Sequence, residues 1–191
     1  IAGGAETLNG TNTYTGITTI NSGASLILEA GGSIANTSNV VDNGTLVFSN
    51  TNDTFSKAIG GVGNLTIANG TETLNGTNTY TGATLIANGA NLTLGTDGTI
   101  ATSSSVNATG TLNIAANKSI VSLSGSSTGK VNLDNNTLNL TTAAGTFSGV
   151  INGTNGSLTI AGGAETLNGT NTYTGATLIA NGANLTLGTD G

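Results

Sequence analysis

Nine carboxylic acids are the main candidates for acid/base chemistry in this chain of 191 residues, which contains no histidine, cysteine or arginine. Cleavage of a glycosidic bond by such groups needs two carboxyls about 5–10 Å apart. The acids are scattered along the sequence or recur as copies in repeated segments: Glu6, Glu29, Asp42, Asp53, Glu72, Asp97, Asp134, Glu165 and Asp190. We therefore expect solvated surface acids, no catalytic residues and no enzymatic activity.

One glycine-rich segment has the beginning of a metal-binding pattern. Residues 60–65, GGVGNL, start like the calcium-binding nonapeptide of β-roll proteins, but Leu65 stands where that motif needs an Asp. No dense carboxylate loop of the calcium type occurs elsewhere, and without cysteine there is no thiolate site. We predict no metal site and no cofactor-binding residues.

The three tyrosines each lie in the string NTYTG, at Tyr14, Tyr80 and Tyr173. An exposed ring could stack on a sugar, but an aromatic repeated in a repeated unit is more often a packing or corner residue, which we favour. The threonine triplet within residues 11–15 is typical of ice-binding arrays. It recurs only 66 and 93 residues later, and Ser33 stands about one coil further on, so we disfavour ice binding.

Composition indicates a folded β-protein. Thr (37), Gly (31) and Asn (27) dominate, and Thr favours strands whereas Asn and Gly weaken helices. A hydrophobic content of 36% and a net charge of −6 do not match disordered chains. Because Lys57, Lys118 and Lys130 are the only cations, we expect no nucleic-acid partner. Apolar runs are far shorter than the ~20 residues of a membrane-spanning helix, so we expect no membrane span.

Internal repeats organise the chain. The string ETLNGTNTYTG occurs at residues 6–16, 72–82 and 165–175, which gives spacings of 66 and 93 residues. We interpret residues 1–191 as one continuous solenoid domain with internal repeats that start at 6, 72 and 165, and as a fragment of a longer repetitive protein.

A shorter period lies within these repeats, marked by pairs of apolar residues one residue apart. Successive pairs start about 20 residues apart, with some steps of 27 or 7 residues. We predict coils of about 20 residues, some carrying a seven-residue addition, and large repeats that are whole numbers of coils. The pairs are Leu26/Leu28, Leu46/Phe48, Leu65/Ile67, Leu92/Leu94, Leu112/Ile114, Val131/Leu133, Leu138/Leu140, Leu158/Ile160 and Leu185/Leu187.

In-phase repetition favours stacked parallel coils over an antiparallel meander, because equivalent residues then lie above one another, roughly 4.8 Å apart. The absence of proline fits strands that are paired on both sides. The predicted fold is therefore an all-β parallel β-helix, with the apolar pairs inside. The intervening polar residues should face solvent: Thr66, Thr93, Asn113, Asn132, Asn139, Thr159 and Thr186.

Residues 146–160 (TFSGVINGTNGSLTI), the related residues 54–67 and the following residues 165–187 resemble the autotransporter-associated β-strand repeat. The TFS stretch and the NTYTG stretch occur in the order and spacing of that family. One departure is IAGGAETLNG, where relatives carry a Lys-Gly-Gly-type turn and a full Leu-x-Leu strand. The resemblance implies a right-handed parallel β-helix in the passenger region of a type V secreted protein, exported across the outer membrane to the bacterial cell surface.

The function expected from this resemblance is that of a structural and interaction module, a rigid surface rod that contributes to adhesion or cell–cell self-association. The expected partners are a second copy of the chain, end to end or side to side, or a host surface or glycan. Two alternatives stay open: a stalk that carries a separate enzyme or toxin domain, and a self-assembling extracellular filament. The full-length gene product would separate the adhesin from the stalk.

Overall fold

A computed structural model describes residues 1–188 and Asp190, with Asn50 described by its backbone alone. This part of the chain contains strands and turns but no helix, and hence none that could cross a membrane. The strands are β1 (Gly4–Leu8), β2 (Thr18–Ile20), β3 (Ala24–Leu28), β4 (Val40–Asp42), β5 (Thr45–Phe55), β6 (Ile59–Gly60), β7 (Asn64–Leu74), β8 (Thr84–Ile86), β9 (Asn91–Leu94), β10 (Val106–Ala108), β11 (Thr111–Ile114), β12 (Lys118–Ile120), β13 (Leu123–Ser124), β14 (Lys130–Asn132), β15 (Thr137–Leu140), β16 (Thr146–Phe147), β17 (Val150–Asn152), β18 (Ser157–Ile160), β19 (Ala164–Leu167), β20 (Thr177–Ile179) and β21 (Asn184–Leu187).

The strands stack in three parallel columns, so each coil has three sides. The first side holds β1, β3, the first halves of β5 and β7, and then β8, β10, β13, β16, β19 and β21. The second side holds the second halves of β5 and β7, followed by β9, β11, β14 and β17. The third side holds β2, β4, β6, β12, β15, β18 and β20.

Every strand pairing in the described part of the chain is parallel, and the coils form a solenoid of about nine turns with partners ~20 residues apart. Leu26 pairs with Leu46, and Leu46 pairs with Leu65, so the first members of three apolar pairs lie above one another. These side chains, with Leu28, Phe48 and Ile67, belong to one continuous buried core. The predicted all-β parallel solenoid is confirmed.

The prediction of seven-residue additions is wrong. Leu65 pairs with Thr84 on the first side, whereas Glu72, seven residues later in the same strand β7, pairs with Leu92 on the second side. The 27 residues from Leu65 to Leu92 therefore join two different sides and do not make one long coil. An apolar pair predicts a strand but does not indicate on which side of the coil that strand lies. Spacing alone therefore suggested an insertion.

The large repeats are not whole numbers of coils either. Glu6 lies on the first side, its copy Glu72 lies on the second, and Glu165 lies on the first again. The same string thus forms the same strand and turn on different sides of the solenoid. This is possible because all three sides are of similar length, so a repeat needs to match only a whole number of sides.

The polar residues between the apolar pairs face away from the core, as predicted, although most are half-buried and not fully solvated. The amide of Asn132 donates to Oδ1 of Asn113 over 2.6 Å, and the amide of Asn152 donates to Oδ1 of Asn132 over 2.8 Å. The spacing of the apolar pairs did not predict this asparagine ladder. It connects side chains of three successive coils along the second side.

Candidate functional site

The NTYTG string forms a corner in which polar side chains satisfy one another. In the central copy, Oδ1 of Asn78 accepts the backbone N–H of Ile59 in the preceding coil over 2.9 Å. The Tyr80 ring is 1% exposed, and its hydroxyl lies 2.6 Å from Oγ1 of Thr84. Thr84 in turn lies 2.9 Å from Oγ of Ser103 in the next coil. The prediction of a packing and corner role for this tyrosine is confirmed.

The same corner forms in the other two copies. Tyr14 contacts Oγ1 of Thr18 at 2.8 Å, and Tyr173 contacts Oγ1 of Thr177 at 2.6 Å. Tyr14 is 41% exposed, since the first coil has a neighbour on one side only. The first threonine of the triplet bridges Ser33 of the next coil in the first copy, at Thr11, but bridges Thr99 in the central copy, at Thr77. These side chains therefore link neighbouring coils through hydrogen bonds.

Three of the nine acids are buried, which contradicts the expectation of surface acids. Asp42, Glu72 and Glu165 are each 0% exposed, whereas the other six are exposed. The physical reason is register: Glu72 pairs with Leu92 and Glu165 pairs with Leu185, so each glutamate takes the inward position of a Leu-x-Leu pair. The signal in the sequence was the Glu-x-Leu of ETLNG, which fills the place of the missing Leu-x-Leu strand.

Asp42 lies under the turn that carries the calcium-like segment. Its Oδ1 accepts the backbone N–H of Gly44 over 2.9 Å, whereas Oδ2 is buried without a partner. Burial raises the pKa of this carboxyl, and backbone hydrogen bonds from Gly44 and Leu46 oppose that rise. A Cβ at Gly63 would meet the Asp42 carboxyl at 2.4 Å. The glycines of this segment therefore make room for Asp42 and the coil below.

Glu165 lies between paired strands on both sides, β16 and β21. Neither of its carboxyl oxygens has a hydrogen-bond partner. Burial raises its pKa to about 7, and the nearby backbone N–H of Gly145, which lies outside good hydrogen-bond geometry, partly opposes the rise. This glutamate is an inward-facing group sealed in the stack of coils.

Glu72 differs because it lines a cavity of about 110 Å³, which we call the Glu72 cleft. The cleft lies on the second side, between the second coil, which begins with β3, and the third coil, which begins with β5. Its walls are formed by residues 32–35 of the second coil and by Thr51, Asp53, Thr54 and Phe55 of β5, together with Leu28, Phe48 and Glu72.

The cleft exists because strand pairing stops at a corner. β3 pairs with β5 only from Ser25 to Leu28, opposite Thr45 to Phe48. Residues 29–39 of the second coil contain no strand, so the second half of β5 has no strand partner on that edge. The register between β5 and β7 also shifts after Phe48, which marks a bulge at the same corner.

The polar groups of the cleft are two carboxyls and one hydroxyl. Oγ1 of Thr51 donates to Oε2 of Glu72 over 2.8 Å, whereas Oε1 of Glu72 is buried without a partner. Asp53 is exposed and lies in register with Glu72 on the neighbouring strand. Burial raises the pKa of Glu72 to about 8; the Thr51 hydrogen bond opposes the rise, and the charge of Asp53 adds to it. Glu72 is therefore largely protonated at neutral pH.

A protonated carboxyl beside an exposed carboxylate is the combination that glycosidases use. The cleft is small for that chemistry, because about 110 Å³ lies below the roughly 300–1,000 Å³ of ordinary ligand pockets and does not hold a sugar ring on each side of a scissile bond. Within residues 1–188 and Asp190, no group of three or more acidic side chains is arranged to hold a metal ion.

Comparison with known proteins adds no identification. No protein-family model matches the chain, and no curated protein or solved structure that was searched matches it. The resemblance to the autotransporter-associated repeat therefore rests on the TFS and NTYTG segments themselves.

Proposed function

We propose that this chain is a structural and interaction module, a rigid rod displayed on the bacterial surface as part of an autotransporter adhesin passenger. In this role it contributes to adhesion or to self-association between cells. The observation that carries the proposal is one continuous buried core running from Ile20 to Leu167 through successive paired coils. The resemblance of the TFS and NTYTG segments supports the assignment to a passenger.

Rigidity follows from the way the coils are joined. Each coil contacts its neighbours through backbone ladders and through stacked apolar side chains, so bending the rod would break pairings on at least one side. About nine coils at roughly 4.8 Å per coil give a length on the order of 43 Å. Such a rod suits extension from a surface. The absence of cysteine is compatible with export in an unfolded state.

The outer faces suit weak and repeated contacts. They are rich in Thr and Asn, and only 6% of all residues are charged. Hydroxyl and amide groups both donate and accept hydrogen bonds, so they can pair with glycan hydroxyls or with the same face of a second rod. The asparagine ladder keeps several of these groups in a fixed row. Many such contacts acting together give avidity without a single strong site.

Surface display tests the proposal. The chain would be fused to an outer-membrane anchor in a bacterium that does not aggregate, and settling of the cells and their binding to host cells and glycan arrays would be measured. We expect more aggregation or binding than with the anchor alone, and loss of the gain in a Gly82→Val/Gly145→Val variant, in which two side chains clash with backbone oxygens of the preceding coils and whose loss of structure circular dichroism verifies. Cells that display the folded chain but behave like cells with the anchor alone would contradict an adhesive role.

Two alternatives remain distinguishable from the adhesin. A stalk requires an enzyme or toxin domain elsewhere in the full-length gene product, which sequencing of that gene would reveal. A filament requires copies to pair through exposed ladder edges, such as that of β1, whose described partner is β3 alone. Electron microscopy of the purified chain would then show long fibres of uniform width, and dispersed particles would exclude this alternative.

A further inference from the structure

An open groove of about 450 Å³ lies on the outer face of the second side, lined by Asn52, Asp53 and Thr54 of β5 and by Thr71 and Thr73 of β7. We call it the second-side groove. Asn52 pairs with Thr71 and Thr54 pairs with Thr73, so two columns of polar side chains form its walls. These four wall residues are exposed, apart from the half-buried Thr73. A ligand can therefore reach them from solvent.

The hydroxyl groups of the groove are not used by the fold. Oδ1 of Asn52 accepts the backbone N–H of Thr71 over 3.1 Å, which fixes this amide and leaves its NH₂ group to donate outward. The hydrogen-bonded ladder of the second side begins only at Thr93, whose Oγ1 accepts from the amide of Asn113 over 3.4 Å. In the described part of the chain, no side-chain hydrogen bond joins the threonines of the groove to this ladder.

These groups select a neutral ligand that is rich in hydroxyls. Threonine hydroxyls both donate and accept hydrogen bonds, and an amide NH₂ donates. The lining contains no lysine and no apolar side chain, and the charge of the nearby Asp53 disfavours anions. The volume of about 450 Å³ lies within the roughly 300–1,000 Å³ of ordinary ligand pockets. A sugar ring has both the hydroxyl groups and the size that this groove requires.

The two walls continue along the rod beyond the groove. They pass through Asn91 and Thr93 of β9 and then through Thr111 and Asn113 of β11. Neither column contains a charged side chain from β5 to β11. Successive pairs are roughly 4.8 Å apart, which is close to the advance per ring of an extended β-1,4-linked glycan. Such a chain, lying along the rod, would meet one pair of polar side chains with each ring.

We propose that the second-side groove binds one ring of a neutral, extended β-1,4-linked glycan, whose further rings follow the two columns toward β11. The Asn52 amide donates to a sugar oxygen, and the hydroxyls of Thr54, Thr71 and Thr73 exchange hydrogen bonds with the sugar hydroxyls. The inference names a ligand for the proposed adhesive function and rests on that function for its biological role. Binding itself is a property of the purified chain and can be measured separately.

The repeats supply matched variants. The later copy of this strand has Ala164 in place of Thr71, so Thr71→Ala gives the groove a residue that the same strand already accommodates. Thr166 is the copy of Thr73, is also half-buried, and lies on the first side of the solenoid. Thr73→Ala therefore removes a hydroxyl from the groove, and Thr166→Ala removes the equivalent hydroxyl elsewhere.

NMR titration of the complete chain with cellotetraose tests the inference. We expect saturable shifts of the amides in residues 52–54 and 71–73, with a dissociation constant in the millimolar range. The affinity should fall at least about threefold in Thr71→Ala and in Thr73→Ala, and by less than about 1.5-fold in Thr166→Ala. The amide spectrum of each variant without sugar reports whether it is folded.

Three other sugars set the limits of the proposal. Maltotetraose has the same rings in a coiled chain, methyl β-glucoside is a single ring, and a heparin tetrasaccharide is anionic. We expect each to bind at least about fivefold more weakly than cellotetraose. Equal binding by any of them, no saturable shift with cellotetraose, or unchanged affinity in both groove variants would overturn the proposal. Shifts of the same amides that depend on protein concentration alone would assign this face to a second copy and would also overturn it.

Failure of this inference can be distinguished from failure of the proposed function. Displayed cells that adhere although the purified chain does not bind cellotetraose would keep the adhesive role and exclude the glycan site. A purified chain that binds cellotetraose at the groove, with displayed cells that behave like cells with the anchor alone, would keep the site and exclude the adhesive role.

Discussion

Residues 72–98 and 165–191 have the same sequence, but their first residues meet different surroundings. Glu165 is sealed between two paired strands. Glu72 lines a cavity, because the coil two steps below it has no strand on that side. Local sequence therefore fixes the local strand and corner, whereas the neighbouring coils decide whether a buried acid has a cavity beside it. In a repetitive solenoid, such a cavity can occur once although its sequence occurs several times.

The largest expected effect is a loss of stability with rising pH, because both glutamates are buried. Their folded-state pKa values of about 8 and about 7 lie above the ordinary value of 4.5, so the folded chain holds more protons than the unfolded chain. The free energy of unfolding should therefore be highest below about pH 5 and fall by roughly 5 kcal/mol up to about pH 9, allowing for partial water access. Urea denaturation across this range measures it.

The control for this pH effect is the double variant Glu72→Gln/Glu165→Gln. Its stability should vary much less with pH, and the remaining slope should come from Asp42, whose pKa is also raised. Single variants separate the two copies: Glu165→Gln should lower the slope only between about pH 4.5 and pH 7, and Glu72→Gln between about pH 4.5 and pH 8, so that the slope from pH 7 to pH 8 depends on Glu72. Stability that rises between these limits would contradict the burial of both acids.

The next effect compares glycines of the NTYTG corner. A Cβ at Gly82 would lie 2.0 Å from the carbonyl oxygen of Gly63 in the preceding coil, whereas a Cβ at Gly16 meets nothing within 4 Å. Gly82→Ala should lower the free energy of unfolding by about 3 kcal/mol, because the ladder must move apart. Gly16→Ala should change it by less than about 0.5 kcal/mol. Equal effects in urea denaturation would show that the corner does not depend on the coil beneath it.

A smaller effect distinguishes the two buried acids directly. At about pH 4, where both glutamates are largely protonated in the folded and the unfolded chain, Glu165→Leu should raise the free energy of unfolding by about 2 kcal/mol, because a buried carboxyl is replaced by an apolar side chain. Glu72→Leu should gain only about 1 kcal/mol, since it also leaves the Thr51 hydroxyl without its partner. A gain at Glu72 that equals or exceeds the gain at Glu165 would mean that the Thr51 hydrogen bond contributes nothing.

The smallest effect concerns the tyrosine hydroxyls. Tyr80→Phe should cost about 1 kcal/mol, because Thr84 loses a buried partner in the chain that leads to Ser103. Tyr14→Phe should cost less than about 0.5 kcal/mol, since water reaches that partly exposed corner. Thermal denaturation of the two variants measures the difference. A larger cost at Tyr14 would place the main role of this motif at the exposed corner.

The repeated apolar pairs predicted the solenoid because parallel stacking places like residues above one another, and Leu26, Leu46 and Leu65 do stack in this way. The same pairs led to a wrong prediction where successive pairs lie on different sides of the solenoid, as those of Leu65 and Leu92 do. Spacing along the chain measures distance in residues, whereas the side on which a strand lies depends on how the corners turn. The spacing of the pairs therefore predicted the length of a coil but not the side of the solenoid on which each strand lies.

The sequence by itself determined the class of fold, the inward positions of the apolar pairs and the corner role of the tyrosines, because strand alternation and turn chemistry act over a few residues. Only the tertiary structure decided which of the acids are buried and which of the buried acids lies beside a cavity. Glu72 and Glu165 are placed inside by strand register, and the Glu72 cleft opens because pairing between β3 and β5 stops at a corner. Whether a buried carboxyl has space beside it depends on coils about 20 and 40 residues away, which identical local sequences cannot specify.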